Sequence, residues 1–242
     1  AATATTAGSL VTAVHDTAGG PDGSADLVLG GGAATERSDV QLFQHGTTAS
    51  NATTVAHLPA PRSDAGAVTL GATTYLLGGF GGGSLDTTVL ATTDGTDVHQ
   101  VGTLAHGVRY PAVAALDGAI YVMGGVTGTS EGATTDTADV QRFDPATGRS
   151  TVIGQLPQPV GHAMGAALDG SLWLLGGTSG TTTLGAIERI DPATGAVTSG
   201  GTLPGPRSDA GVAVVGGAVW LFGGEHGSTT HPLASVVRLT PA

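Results

Sequence analysis

A pair of glycines preceded by a short apolar run occurs five times in this chain, and this repeat constrains the fold more than any other feature. In every copy a leucine stands twenty residues before the first glycine. The five combinations are Leu10 with Gly30, Leu58 with Gly78, Leu104 with Gly124, Leu156 with Gly176, and Leu203 with Gly223. Because this interval is fixed and the length varies mainly after the glycines, the pattern indicates one structural unit repeated five times.

The fixed interval predicts two strands joined by a tight turn. A run of small residues leads to Asp-Gly or Gly-Gly, as at residues 117–118 and 216–217, and such dipeptides are hairpin signals. A third strand is predicted by apolar–polar alternation, for example over residues 139–143, and a fourth follows the turn at residues 144–148. Four antiparallel strands in about 48 residues are typical of a propeller blade.

We therefore predict an all-β chain that forms one domain over residues 1–242, a five-bladed β-propeller with four antiparallel strands per blade. The approximate blades, called units one to five below, are residues 10–57, 58–103, 104–155, 156–202, and 203–242 plus 1–9.

The two ends of the chain are predicted to meet in one unit. A turn proline precedes the next leucine by eleven residues at Pro145 and at Pro192. Counting from Pro241 through both ends to Leu10 gives the same interval. We expect residues 1–9 to form the outer strand of unit five and to close the ring, which removes exposed sheet edges.

Composition excludes several classes of function. The chain has eight Arg, no Lys and 19 acidic residues, for a net charge of −11, so nucleic acid and anionic membrane surfaces are poor partners. No apolar run reaches the roughly 20 residues that span a bilayer, so we expect no membrane insertion. The absence of Cys excludes disulfides and thiolate chemistry. We expect a monomer in a secreted or cell-surface bacterial protein.

The side chains with the best prospects for function gather at one predicted surface. In a propeller, the start of the first strand and the loop between strands two and three lie around the mouth of the central channel. The residues predicted there to bind a ligand are Asp16, Arg62, Asp64, Phe80, Arg109, Tyr110, His162, Arg207, Asp209, Glu225 and His226. Five of them stand six residues after a repeat leucine: Asp16, Asp64, Tyr110, His162 and Asp209. A concave place with convergent polar groups is the default ligand site.

Several of these residues have a second interpretation. Arg62 and Arg207 are favoured as structural residues that bond to neighbouring backbone or to Asp64 and Asp209. The acids and His162 also have the ligand types of a hard cation such as Ca²⁺, but carboxylates flanked by Arg more often form ion pairs. We therefore predict no metal and no cofactor.

The repeats resemble the kelch type. Kelch repeats carry an Arg early in the first strand, a Tyr or similar residue before the glycine pair, and a turn with Asp-Pro. This chain has Arg62 and Arg207 at the first position and the sequence DPATG at two turns. Its aromatic residues before the glycines are Tyr75, Tyr121, Trp173 and Trp220. The resemblance covers the whole chain, but the later Trp of the family is absent, and Val14, Val108 and Val160 occupy the Arg position.

Three functions remain open at this point. The preferred one is a non-catalytic binding or protein-interaction module that holds a protein segment or a glycan at the channel mouth, with no catalytic residue. The first alternative is an enzyme of isomerase or hydrolase type, acting on a sugar or other small metabolite through Asp64, Asp209, His162 and an Arg. The second is an architectural spacer. Acids at equivalent positions of several units look like repeat decoration rather than an asymmetric catalytic set.

Overall fold

A computed structural model describes residues 6–46, 51–128, 134–227 and 231–241, and every regular element in these ranges is a β-strand. Unit one contains β1 (Ala18–Asp22), β2 (Ala25–Gly31), β3 (Arg37–Gln44) and β4 (Thr53–His57). Unit two contains β5 (Gly66–Leu70), β6 (Thr73–Leu77), β7 (Phe80–Gly81), β8 (Ser84–Leu85), β9 (Thr88–Thr92) and β10 (His99–Thr103). Unit three contains β11 (Ala112–Leu116), β12 (Ala119–Met123), β13 (Val126–Gly128), β14 (Thr134–Asp136), β15 (Asp139–Asp144) and β16 (Arg149–Gln155). Unit four contains β17 (Met164–Leu168), β18 (Ser171–Leu175), β19 (Thr178–Ser179), β20 (Thr182–Thr183), β21 (Ala186–Ile190) and β22 (Val197–Thr202). Unit five contains β23 (Gly211–Val215), β24 (Ala218–Phe222) and β25 (Val236–Leu239).

Each unit is an antiparallel meander. The strand order is β1-β2-β3-β4 in unit one and β17-β18-β21-β22 in unit four. Units two and three have the same order and are joined into one eight-stranded sheet by a parallel bridge between Thr103 and Arg149. The two-strand ribbons β7–β8, β13–β14 and β19–β20 lie between the second and third main strands. This is the all-β architecture of a β-propeller, and no helix of the described ranges is long and apolar enough to cross a membrane.

The predicted turns have the backbone that their sequences require. Asp117 and Gly118 both have positive φ, at 49° and 77°, and this pair of angles fits the type I′ turn of a two-residue hairpin. The hairpin β11–β12 around this turn pairs Leu116 with Ala119, as the sequence pattern predicts.

The glycine pairs are joints between neighbouring units. The amide of Gly79 donates to the carbonyl of Val108 in the next unit, at 2.8 Å. A Cβ on Gly78, which has φ +64°, would lie 2.4 Å from that same carbonyl oxygen. Equivalent bonds run from Gly31 to Arg62, from Gly125 to Val160, and from Gly177 to Arg207. Glycine is therefore required because two backbones meet there.

The core consists of four apolar clusters, each placed between two successive units. The repeat leucines Leu58, Leu104, Leu156 and Leu203 are buried in these clusters, whereas Leu10 is half-buried. Fully burying a leucine stabilises the fold by roughly 1.5–3 kcal/mol. For these four buried leucines, the fixed position in the repeat thus follows from a place at an interface between units.

Unit five differs from the other four. Its sheet has three strands in the described ranges. The fourth, outer strand is predicted at residues 1–9, of which residues 1–5 lie outside the described residues and residues 6–9 are not in a strand. Val212 and Val214 on β23 are 40% and 44% exposed. Within the described chain, no bond of the kind that joins the other units links Gly224 to Val14. Closure of the ring therefore stays a prediction.

Candidate ligand-binding site at the channel mouth

The five residues that stand six positions after the repeat leucines share one backbone conformation. All have positive φ, between 47° and 59°: Asp16, Asp64, Tyr110, His162 and Asp209. This left-handed conformation costs a residue other than glycine roughly 1–2 kcal/mol. Such strain recurs at functional sites, where the surrounding structure holds the residue in place.

Main-chain hydrogen bonds connect these five residues in series. The amide of Asp64 donates to the carbonyl of Asp16 at 3.0 Å, and the amide of Tyr110 donates to the carbonyl of Asp64 at 2.8 Å. The amides of His162 and Asp209 then donate to the carbonyls of Tyr110 and His162, each at 3.1 Å. The series brings one residue from every unit to the same surface.

These residues surround a single cavity of about 340 Å³, called the channel-mouth cavity below. Its wall consists of Asp16, Thr17, Asp64, Ala65, Tyr110, Pro111, His162, Ala163, Met164, Asp209 and Ala210. The volume lies at the lower end of the range for small-ligand sites, about 300–1,000 Å³. All five residues predicted from the leucine spacing line it. The other six wall residues were not predicted, although each stands one or two positions after a predicted one.

One wall of the cavity is a stacked pair of rings. The rings of Tyr110 and His162 have centroids 4.1 Å apart and planes at 23°. The Nδ1 of His162 lies 2.8 Å from the Oδ1 of Asp209, which fixes the orientation of the imidazole. The side chain of Asp209 is 40% exposed, so the carboxylate remains accessible from the cavity.

Asp64 forms the buried acid of the site. Its side chain is only 6% exposed, and burial raises the pKa of its carboxyl above the ordinary value. Hydrogen bonds from Ser63 and Tyr110, and the charge of Arg109, oppose that rise. Burial, reinforced by the nearby charge of Asp64, also raises the pKa of the Tyr110 hydroxyl. Tyr110 is therefore held as a neutral donor to Asp64.

Arg109 and Phe80 lie behind this wall. The Nη1 of Arg109 is 3.7 Å from the Oδ2 of Asp64, and its guanidinium carbon lies 5.3 Å from the Phe80 ring centroid and 5.5 Å from that of Tyr110. Phe80 is buried and does not line the channel-mouth cavity. Arg109 and His162 also line a second cavity of about 230 Å³ on the side of units three and four.

Asp16 forms the opposite edge of the cavity. Its Oδ2 lies 2.7 Å from the Nδ1 of His15, and this contact raises the pKa of the His15 imidazole. The side chain of Asp16 is 43% exposed, so it faces solvent as Asp209 does.

Two residues predicted to contact a ligand, Arg62 and Arg207, lie away from the cavity. Both are buried and lie outside the wall of the cavity. Arg62 donates to the carbonyl of Gly78 at 3.1 Å and pairs with Asp86 at 2.6 Å. Arg207 donates to the carbonyl of Gly223 at 2.8 Å and to a serine hydroxyl. Their guanidinium groups already have internal partners, which is the structural role that the sequence favoured, although Asp64 and Asp209 are not the acids they contact.

Glu225 and His226 also lie outside the wall of the cavity. Glu225 forms main-chain bridges with Ser208 and Pro232, and His226 is exposed. The loop after the glycine pair therefore leads these two side chains away from the place where the five units meet. No group of three or more His, Cys, Asp or Glu side chains in the described residues is arranged to hold a metal ion.

Comparison with known proteins agrees with the repeat. A family model described as the Kelch motif matches residues 108–157, which cover most of unit three. The chain is also 35% identical, over 127 residues, to the Kelch repeat and BTB domain-containing protein 13 of Homo sapiens. That match covers 50% of this chain and 26% of the human protein, so the chain spans about a quarter of the curated relative it matches. Both findings support a kelch-like repeat protein.

Proposed function

We propose that this chain is a non-catalytic binding module that holds a segment of a partner protein in the channel-mouth cavity. The observation that carries the proposal is the convergence of five repeat-equivalent residues, one per unit, on a single cavity of about 340 Å³. Kelch repeat domains generally mediate protein–protein interaction, so the family likeness supports the same class of function.

The side chains of the cavity favour binding over catalysis. Tyr110 donates to Asp64 and has a raised pKa, so its hydroxyl is not poised to act as a general base near neutral pH. Asp16 and Asp209 are both partly exposed and each contacts a histidine. Asp16 and Asp209 thus have similar surroundings, which suits recognition. Asp64 differs, since burial raises the pKa of its carboxyl, but that carboxyl is already engaged by Ser63, Tyr110 and Arg109.

We propose a five-bladed ring that residues 1–9 close by lying beside β25 in unit five. Support comes from Ser9, whose carbonyl accepts a bond from Ala52 of unit one at 2.9 Å. Thr103, at the end of β10, lies in the same way against Arg149 of the next unit. Ser9 is therefore located where an outer strand of unit five would end.

We also propose a bacterial source for the module. Eight Arg without Lys, together with 42 Gly, support a bacterial source. We propose that the module is monomeric and belongs to a secreted or cell-surface protein.

A display selection tests the proposed function. Peptide libraries are selected on the wild-type chain, and the winners are measured on Tyr110→Asn and His162→Asn. Asparagine tolerates the left-handed backbone of both positions. The matched control is His45→Asn, because His45 also contacts an aspartate, at 2.7 Å, but lies outside the cavity wall.

We expect selected peptides to lose at least tenfold in affinity on both cavity variants and to keep their affinity on the control, with thermal midpoints close to wild type. Peptides that are insensitive to both cavity variants would contradict the proposal. A parallel glycan array distinguishes the other ligand class, because glycan binding with the same dependence on Tyr110 would replace the protein segment.

A further inference from the structure

The channel-mouth cavity is lined by three acids and by no arginine or lysine; His162 is the one lining side chain that can carry a positive charge. Asp16, Asp64 and Asp209 come from three different units and reach the same cavity. The guanidinium of Arg109 lies behind the wall, with its Nη1 3.7 Å from the Oδ2 of Asp64. Asp16 and Asp209 have only imidazole partners among the ion pairs of the described residues. Three acids thus face one guanidinium and two imidazoles, so a group that enters the cavity meets net negative charge, which favours a cation.

The ring pair makes this wall different from a simple group of acids. Tyr110 and His162 are stacked and lie directly between Asp64 and Asp209 in the bonded series. A flat aromatic surface beside a carboxylate suits a planar guanidinium, which can stack on the ring and donate two parallel N–H bonds to the acid.

The site already holds one guanidinium near a ring and a carboxylate. Arg109 contacts Asp64 with its Nη1 and lies 5.5 Å from the Tyr110 ring centroid. On the other side of the ring pair, His162 and Asp209 repeat the combination of ring and carboxylate, and there the carboxylate is 40% exposed. The second position thus also combines a ring with a carboxylate, and its carboxylate is accessible from solvent.

The bonded series also ends at this second position. Four main-chain bonds link the five residues from Asp16 to Asp209, but within the described part of the chain no bond runs from Asp16 back to Asp209. The two exposed carboxylates, on units one and five, face the cavity on either side of this interruption. A ligand with several donors can bridge them, and a guanidinium has five N–H donors where an ammonium has three.

We infer that the channel-mouth cavity selects an arginine side chain of the partner segment, held by Asp209, Asp16 and the Tyr110–His162 ring pair. The inference rests on the proposed function, because it names the residue that the same cavity recognises. The cavity volume of about 340 Å³ admits the guanidinium together with part of its aliphatic stem.

The test uses short capped peptides that differ in one central side chain: arginine, its neutral isostere citrulline, lysine and glutamate. Binding to the whole chain is followed by two-dimensional amide NMR titration. We expect the arginine peptide to shift the amides of Tyr110, His162 and Asp209 and to bind at least tenfold more tightly than the other three peptides. Equal binding of citrulline or of lysine would overturn the inference.

Two variants separate recognition from folding. Asp209→Asn removes the accessible charge and should reduce arginine binding about tenfold or more. Asp169→Asn is the matched control, since Asp169 has the same left-handed backbone, at φ 52°, in a hairpin turn outside the cavity wall. Unchanged arginine binding by Asp209→Asn, with Asp169→Asn as reference, would contradict the inference.

The outcomes also separate this inference from the proposed function. If display selects peptides without arginine that depend on Tyr110, the proposed function stands and the arginine inference fails. If no selected peptide depends on the cavity, both fail. A titration with CaCl₂ alone covers the remaining ligand: if Ca²⁺ shifts the same amides and displaces the arginine peptide, the cavity is a cation site and the inference is overturned.

Discussion

Replacing Arg62 by valine tests how the units are joined. The Arg62 side chain is 2% exposed, and its guanidinium donates to the carbonyl of Gly78 at 3.1 Å and to the hydroxyl of Thr88 at 2.7 Å. It also contacts the carboxylate of Asp86 at 2.6 Å. Meanwhile the main chain of Arg62 accepts a bond from Gly31 of the preceding unit. The substitution therefore removes the group that fixes unit two against this joint.

The magnitude follows from what the variant leaves behind. A hydrogen bond to a charged group contributes about 1.5–3 kcal/mol, and breaking a buried ion pair by removing one partner costs about 3–5 kcal/mol. Asp86 is 23% exposed, so water can solvate its carboxylate in part, which favours the lower end of that range. We expect Arg62→Val to lower the free energy of unfolding by about 3 kcal/mol. For a chain of this size that corresponds to a fall in the thermal midpoint of roughly 6–12 °C.

Unit three supplies the control for this experiment. It has Val108 at the position of Arg62, and Thr137 at the position of Asp86. Asp86 and Thr137 are equivalent since the amide of each donates to the carbonyl of the second glycine of its pair, at 2.9 Å. The double variant Arg62→Val/Asp86→Thr therefore copies a combination that the fold already contains. We expect the double variant to recover at least half of the free energy of unfolding that Arg62→Val loses. Chemical unfolding, monitored by circular dichroism, measures both variants. A single variant that costs less than about 1 kcal/mol, or a double variant no more stable than the single one, would refute the reasoning.

Three further predictions concern other parts of the molecule. Gly78→Ala should lower the free energy of unfolding by roughly 3 kcal/mol, because φ is +64° and the new Cβ would meet a carbonyl oxygen at 2.4 Å. Gly118→Ala, with nothing within 4 Å of the new Cβ, should cost about 1 kcal/mol. Equal losses for the two variants in chemical unfolding would contradict the role of Gly78 as a joint between units. The Tyr110 hydroxyl should ionise well above the ordinary pKa near 10, because burial and Asp64 oppose its charged form. The difference between ultraviolet absorbance titrations of wild type and Tyr110→Phe isolates this ionisation. Ionisation at or below pH 10 would contradict the buried contact between Tyr110 and Asp64. Deletion of residues 1–9 should lower the thermal midpoint sharply if they complete unit five, and an unchanged melting curve would argue against the closed ring.

The strands could be predicted from the sequence because the same chemical requirements recur at fixed positions of the repeat. The glycine pair marks a close approach of two backbones, and the Asp-Gly pairs fix hairpin turns, as at Asp117 and Gly118. The leucine is fixed by its burial between units. The hairpin turn acts over a few residues, whereas the glycine pair and the leucine serve contacts between neighbouring units. Because successive units repeat the same contact, each requirement appears at a fixed position along the chain.

The candidate site could be predicted only in part. Position in the repeat places Asp64, Tyr110, His162 and their equivalents on one surface, and the structure brings them together. The ring stack and the position of Arg109 depend on side-chain orientation across units that are distant in sequence, and no local pattern encodes it. The ion-pair partner of Arg62 could not be predicted either, because Asp86 lies in a loop whose length varies between units and has no fixed position in the repeat.

The most direct test of the central claim is a crystal structure of the chain with a display-selected peptide bound. The proposed function predicts peptide density in the channel-mouth cavity, with a side chain against the ring pair of Tyr110 and His162 and within hydrogen-bond distance of Asp209. A peptide bound along the outer strands of a unit or on the hairpin-turn surface, with the cavity empty, would contradict it.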